Sequence, residues 1–198
     1  MGTTMFAREC TDADRSPRIG VYVCRCGMNI GQTVDCGRVA ESVRDYPDVA
    51  VAREITYACS EPGQMEIKND IAAMGLDRVV VASCSPRLHE PTFRHMMQEA
   101  GLNAYLLEMA NLREQCSWVH MNDPEAATLK SEDLVKMAVS RVRLLTPLVE
   151  ETLPLTRRTL VIGGGIAGIQ AALDLADNEI GRAHVCTPVQ SVNIVCRL

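Results

Sequence analysis

Aromatic residues are scarce in this chain: two phenylalanines, one tryptophan and four tyrosines among 198 residues. A core must therefore be built from Val, Leu, Ile, Ala and Met. No apolar run approaches the roughly 18 residues of a spanning helix, so no membrane span is expected. Positive charge is not in excess either. With 20 Lys and Arg against 25 Asp and Glu, the net charge of −5 gives no electrostatic case for nucleic acid or an anionic membrane. Residues 1–17 carry charges and lack an apolar h-region, so they read as a short disordered lead and not as a secretory signal. That reading implies a cytoplasmic chain and argues against a disulfide framework for its nine cysteines. Paired C-x-x-C knuckles and a compact ferredoxin run are both missing, as is any Ser/His/Asp arrangement. His89, His95 and His120 have no metal-binding partner at i+3 or i+4 and read as surface or packing residues.

What the chain does have is alternation. Residues 18–23 (Arg-Ile-Gly-Val-Tyr-Val) form a buried-strand pattern, and residues 35–46 follow as a helix with Val39, Ala40 and Val43 on one face. Residues 49–57 read as extended, and 64–74 as an amphipathic helix stopped by Gly75. Residues 78–82 (Arg-Val-Val-Val-Ala) are the clearest strand, followed by a helix over 90–100 and a fourth strand over 105–109. Asp123-Pro124 is an N-cap with proline at the first helical position, opening a long helix to Leu145. Strands alternating with helices predict an α/β fold with a mostly parallel, doubly wound sheet.

In such a sheet the carboxyl ends of the strands lie along one edge, where ligands bind. Cys24, Cys26, Cys59, Cys84 and Cys116 each fall at or just beyond the end of a predicted strand, in Gly-, Ser- or Pro-containing turns. Five cysteines distant in sequence are thus expected at one edge. A thiolate set of this kind fits an iron–sulfur cluster or structural zinc, and spacing does not choose between them. Cys10 and Cys36 fall in the lead and in a first helical turn and are left out of the set. Arg87, close to Cys84, is a candidate for stabilising a reduced, more negative centre.

A second unit begins at residue 159. Thr159-Leu160-Val161-Ile162 runs into Gly163-Gly164-Gly165-Ile166-Ala167-Gly168 and then an alanine-rich helix. The strand–glycine–helix context gives the G-x-G-x-x-G spacing its meaning as a dinucleotide site. The first glycine makes a tight turn, the second admits a pyrophosphate, and the third lets helix and strand pack closely.

Three long motifs together carry a resemblance. They are Cys24-Arg25-Cys26-Gly27-Met28-Asn29-Ile30, Ala82-Ser83-Cys84-Ser85-Pro86-Arg87-Leu88-His89-Glu90-Pro91, and Met109-Ala110-Asn111-Leu112-Arg113-Glu114-Gln115-Cys116-Ser117-Trp118-Val119-His120. With the glycine motif at 161–172, they resemble the A subunit of heterodisulfide reductase over residues 18–178. The resemblance implies an electron-bifurcating iron–sulfur flavoprotein oxidoreductase of anaerobic metabolism. It would pass electrons through FAD and a 4Fe–4S cluster to disulfide-reducing B/C-type subunits and to ferredoxin, fed by a hydrogenase- or dehydrogenase-linked donor. By motif match the candidate ligands are Cys24, Cys26, Cys59, Cys84 and Cys116, of which four suffice, and residues 163–168 would hold the FAD pyrophosphate. A non-catalytic electron-relay or docking module and a zinc-stabilised scaffold are the alternatives.

The implied organisation is a lead (1–17), a cysteine-rich α/β iron–sulfur domain (18–146), a linker (147–158) and the start of an FAD domain (159–178). From Glu179 the sequence departs from the family. Back-translated, residues 180–185 match one frame of a common sequencing-library adapter, so 179–198 are expected to be a non-native tail. One strand and one helix cannot enclose a flavin, and the acidic ribose-binding residue is missing, so weak or absent FAD binding is expected of this chain.

Overall fold

The computed structural model describes residues 16–154, 158–178 and, for the backbone, 182–186. Most of the lead, Cys10, Cys196 and most of the tail lie outside the described residues. The chain divides into two units, Met1–Val149 and Glu150–Leu198.

The first unit is the expected parallel α/β layer structure. Its strands are β1 (Ile19–Cys24), β2 (Val49–Ile55), β3 (Arg78–Ser83) and β4 (Leu107–Asn111), in the order β2-β1-β3-β4 and all parallel. β1 is buried at all six positions and β3 at five of six, as befits central strands covered on both faces. The helices are α1 (Met28–Gly31), α2 (Cys36–Glu41), α3 (Glu61–Met74), α4 (Pro86–Glu99) and α5 (Pro124–Val142), with a π-helical turn at Arg113–Ser117. One core gathers Val21, Val23, Val80 and Ala82 with α2 and α5 residues such as Val39 and Val139. The other gathers Tyr22, Val79 and Val81 with Ile67, Ile71, Phe93, Met96 and Met97 of α3 and α4. Alternate residues of the same strands thus face opposite helical layers.

Several boundaries differ from the sequence reading, each for a local reason. α2 ends at Glu41, and residues 42–46 continue as tight turns (Val43 N to Ala40 O 3.4 Å, Tyr46 N to Val43 O 3.1 Å), with Pro47 disfavouring helix at Tyr46. α4 begins at Pro86, since the Ser85 hydroxyl accepts from Arg87 N and caps the helix four residues earlier than expected. β4 begins at Leu107 because Asn103 Oδ1 accepts from Tyr105 N and Leu106 N bonds Asn103 O, closing a turn there. The Asp123 cap stands as read, accepting from Ala126 N with Pro124 at the first helical position. Among the described residues, no helix is long and apolar enough to cross a membrane.

The second unit contains β5 (Arg158–Ile162), α6 (Ile166–Asp177) and β6 (Arg182–Cys186). β5 and β6 pair in parallel, Arg158 with Arg182 through Ile162 with Cys186. Residues 182–186, which the sequence reading sets aside as foreign, thus have the backbone of a strand in a β-α-β unit.

Candidate cysteine centre and glycine turn

The order β2-β1-β3-β4 creates a switch point. The chain leaves β1 for β2 on one side and returns to β3 on the other, so connections diverge at the carboxyl edge between β1 and β3, where such sheets bind ligands. Cys24 is the last residue of β1, Cys84 follows β3, and Cys59 follows β2. The β1–β2 pairing extends beyond the strands through Arg25 N to Ile55 O (2.9 Å) and Cys26 N to Thr56 O (3.1 Å), drawing the Cys26 loop against the Cys59 loop. Cys24 Sγ donates to Thr56 O at 3.6 Å and accepts from Ala58 N at 3.4 Å.

Cys26 and Gly27 both have positive φ, 47° and 57°. A non-glycine residue held there costs of order 1–3 kcal/mol, and such strain concentrates at functional sites. Cys59 and Cys84 each precede a helix N-cap, Ser60 for α3 and Ser85 for α4, so the positive ends of both helix dipoles favour negative charge beside them.

The thiols act on one another. The charges of Cys26 and Cys59 oppose ionisation of both Cys24 and Cys84. Burial is the larger cause in each case; it pushes the Cys24 thiol up to about 11 and the Cys84 thiol upward, against the attraction of Arg113. Cys116 does not share these neighbours. It lies in the π-helical turn, fully buried within the α2/α5 core, and its thiol, raised by burial, is offset by a hydrogen bond to Ser131 and by Lys130. Cys36, left out of the sequence set, is nearer: its Sγ approaches Cys24 O at 3.8 Å, and burial raises its thiol to about 12. The cation favouring the Cys84 thiolate is Arg113, whereas Arg87 stands exposed on the first turn of α4.

As placed, no three Cys, His, Asp or Glu side chains among the described residues stand at single-ion spacing. Four sulfurs about a zinc ion lie 2.3 Å from it, about 3.8 Å apart; ligands to a four-iron cubane stand wider, on separate irons. A loose gathering of mutually coupled thiols is compatible with the wider arrangement. The Ser83 hydroxyl strengthens the fit: it is buried beside Cys84 and has no hydrogen-bond partner among the described residues, leaving an O–H free for a sulfur acceptor.

At the glycine turn, Gly163 has φ of +115°. A Cβ on Gly168 would stand 3.0 Å from the Gly163 carbonyl carbon and closer still to its oxygen, so only glycine allows this approach of α6 to the turn. A Cβ on Gly165 would meet nothing within 4 Å, leaving the backbone open on that side.

No protein-family model matches the chain. It is 62% identical over 165 residues to the A subunit of the H(2):CoB-CoM heterodisulfide,ferredoxin reductase of Methanothermobacter thermautotrophicus, covering 81% of this chain and 24% of the relative. It is 60% identical over 165 residues to an iron-sulfur A subunit of the CoB–CoM heterodisulfide reductase of Methanopyrus kandleri (83% and 25%). It is 52% identical over 160 residues to the A subunit of the ferredoxin:CoB-CoM heterodisulfide reductase of Methanosarcina mazei (81% and 20%). The chain therefore spans a quarter or less of the length of these curated relatives.

Proposed function

Over the part that aligns, the chain belongs to the family of heterodisulfide reductase A subunits, and on that premise we propose that it is the iron–sulfur portion of an oxidoreductase. In this reading Cys24, Cys26, Cys59 and Cys84 hold a 4Fe–4S cluster at the sheet's switch point. Their gathering on the loops at the carboxyl ends of β1, β2 and β3, while Cys116 is turned into the α2/α5 core, is the observation that carries it. Such a cluster supplies one-electron transfer. The chain's part is to fix where that transfer happens. The ends of β1 and β3 present Cys24 and Cys84, the left-handed Cys26–Gly27 turn presents Cys26, and two helix N-termini stabilise the thiolates.

Gly163, Gly164, Gly165, Ile166, Ala167 and Gly168 form the turn that would receive the pyrophosphate of FAD, with α6 directing its N-terminus at the charge. In the whole protein, electrons would pass between FAD and the cluster, towards B/C-type subunits that reduce a heterodisulfide and towards ferredoxin, with a hydrogenase- or dehydrogenase-linked donor. A cytoplasmic, reducing setting belongs to the same reading, because the thiols must stay unpaired.

The test is an anaerobic absorption spectrum of the purified chain with iron and zinc counted on the same sample. About four irons per chain, with visible absorption that bleaches on dithionite, are expected. Zinc in a colourless protein would remove the redox role.

A further inference from the structure

We propose that Arg113 is the residue that sets the reduction potential of the cysteine centre, held in place for that purpose by Glu114 and Trp118. The inference rests on the reading of Cys24, Cys26, Cys59 and Cys84 as cluster ligands. It begins with backbone register. Ser83 pairs with Asn111, and Leu112 N donates to Ser83 O at 2.7 Å, so the residues that follow, Cys84 and Arg113, leave the sheet side by side.

The side chain is then fixed at three points. Arg113 Nη2 and Nε both donate to Glu114 Oε1, at 2.7 and 3.1 Å. The guanidinium carbon lies 4.9 Å from the centroid of a Trp118 ring. Glu114 N donates to Asn111 Oδ1 at 3.1 Å, tying the carboxylate's own backbone to the end of β4. The Arg113 side chain is only 19% exposed, so its charge is poorly screened.

Two other cations are poorer candidates. Arg25 is half exposed, so its charge is screened by solvent. Arg87 lies on the first turn of α4 and is exposed, so its charge is well screened.

Reduction adds one negative charge to a centre already negative from its thiolates. A guanidinium held on that side favours the reduced state, and because it is pre-oriented it does so without reorganising. A cation of this kind, acting through a partly screened medium, is worth on the order of tenfold in the reduction equilibrium.

The experiment is a dye-mediated redox titration with dithionite, followed by electron paramagnetic resonance, on the full chain reconstituted anaerobically with iron and sulfide. Arg113→Gln is expected to keep its iron and to lower the reduced-to-oxidised ratio about tenfold, about 59 mV in midpoint for a one-electron couple. Arg113→Lys should stay close to the parent, Arg87→Gln should match it, and Glu114→Gln, which strips the guanidinium of its counter-charge, should move the midpoint upward. An unchanged midpoint in an iron-replete Arg113→Gln protein overturns the proposal. So does an equal fall in Arg113→Gln and Arg113→Lys, which would mark a structural role. Should Arg113→Gln lose its iron, the Glu114→Gln shift decides, and a midpoint that does not rise refutes the assignment. A parent chain that takes up no iron is a failure of the ligand reading, seen before any titration.

Discussion

Gly63 offers the sharpest test of how the cysteine edge is built. It is the third residue of α3, buried where the helix starts against the loop that carries Cys59. A Cβ there would stand 3.0 Å from both Ala58 Cα and the Tyr57 carbonyl carbon, and closer still to the Tyr57 oxygen. Carbon atoms pack comfortably at about 3.5–4.0 Å, and what is in the way is backbone, which cannot rotate aside. In Gly63→Ala either α3 or the loop must therefore move by about half an ångström or more. Helix propensity alone would favour alanine by about 1 kcal/mol, whereas overpacking costs about 1–3 kcal/mol and sometimes more. The upper end applies here, so a net loss of about 2 kcal/mol is expected, read by denaturant unfolding followed with circular dichroism. Moving the loop also moves Ala58 N off Cys24 Sγ, so iron uptake should fall more steeply than stability. Gly75→Ala is the comparison: Gly75 sits at φ +60° with nothing within 4 Å of its Cβ position, so the cost is conformational alone, about 1 kcal/mol. A Gly63→Ala protein as stable as the parent, or more so, would refute the close approach.

The cysteines are expected to separate on single substitution: Cys24→Ser, Cys26→Ser, Cys59→Ser and Cys84→Ser each lose iron on anaerobic reconstitution. Cys116→Ala should keep full iron and cost about 1 kcal/mol of stability for the lost buried sulfur. Ser83→Ala should stabilise the iron-free chain by about 1–2 kcal/mol by removing a buried hydroxyl without a partner among the described residues, a gain that disappears in the loaded protein if that hydroxyl bonds a cluster sulfur. Tyr22 is fully buried with its hydroxyl 3.0 Å from Asp70 Oδ2; burial first, and the Asp70 charge next, raise its titration above the ordinary tyrosine value. The folded state then keeps a proton that the unfolded chain releases above about pH 10, so stability falls as pH rises past that point. Tyr22→Phe should flatten that fall in an alkaline unfolding series.

The parts of this fold legible in sequence are those where one local rule acts alone. Residues 18–23 and 78–82 read as central strands because burial on both faces demands an unbroken apolar run, and Asp123-Pro124 announces α5 because a cap and a helix-compatible proline coincide. What sequence could not supply is the direction in which a residue faces once its strand has ended. Cys84 leaves β3 at once, whereas Cys116 comes five residues after Asn111, inside a π-helical turn that rotates it into the α5 layer. Cys36, read as an ordinary first-turn residue, is brought to Cys24 by the return of α2 across β1. The same distinction explains the arginines. Arg87 is three residues from Cys84 along the chain yet stands exposed on α4, while Arg113 is 29 positions distant and is brought beside Cys84 by a single backbone bond, Leu112 N to Ser83 O. In a parallel sheet, neighbours at the carboxyl edge are set by strand order, which no local pattern encodes. A centre assembled from separate strand ends therefore has its ligands written locally and its electrostatics written only in the topology.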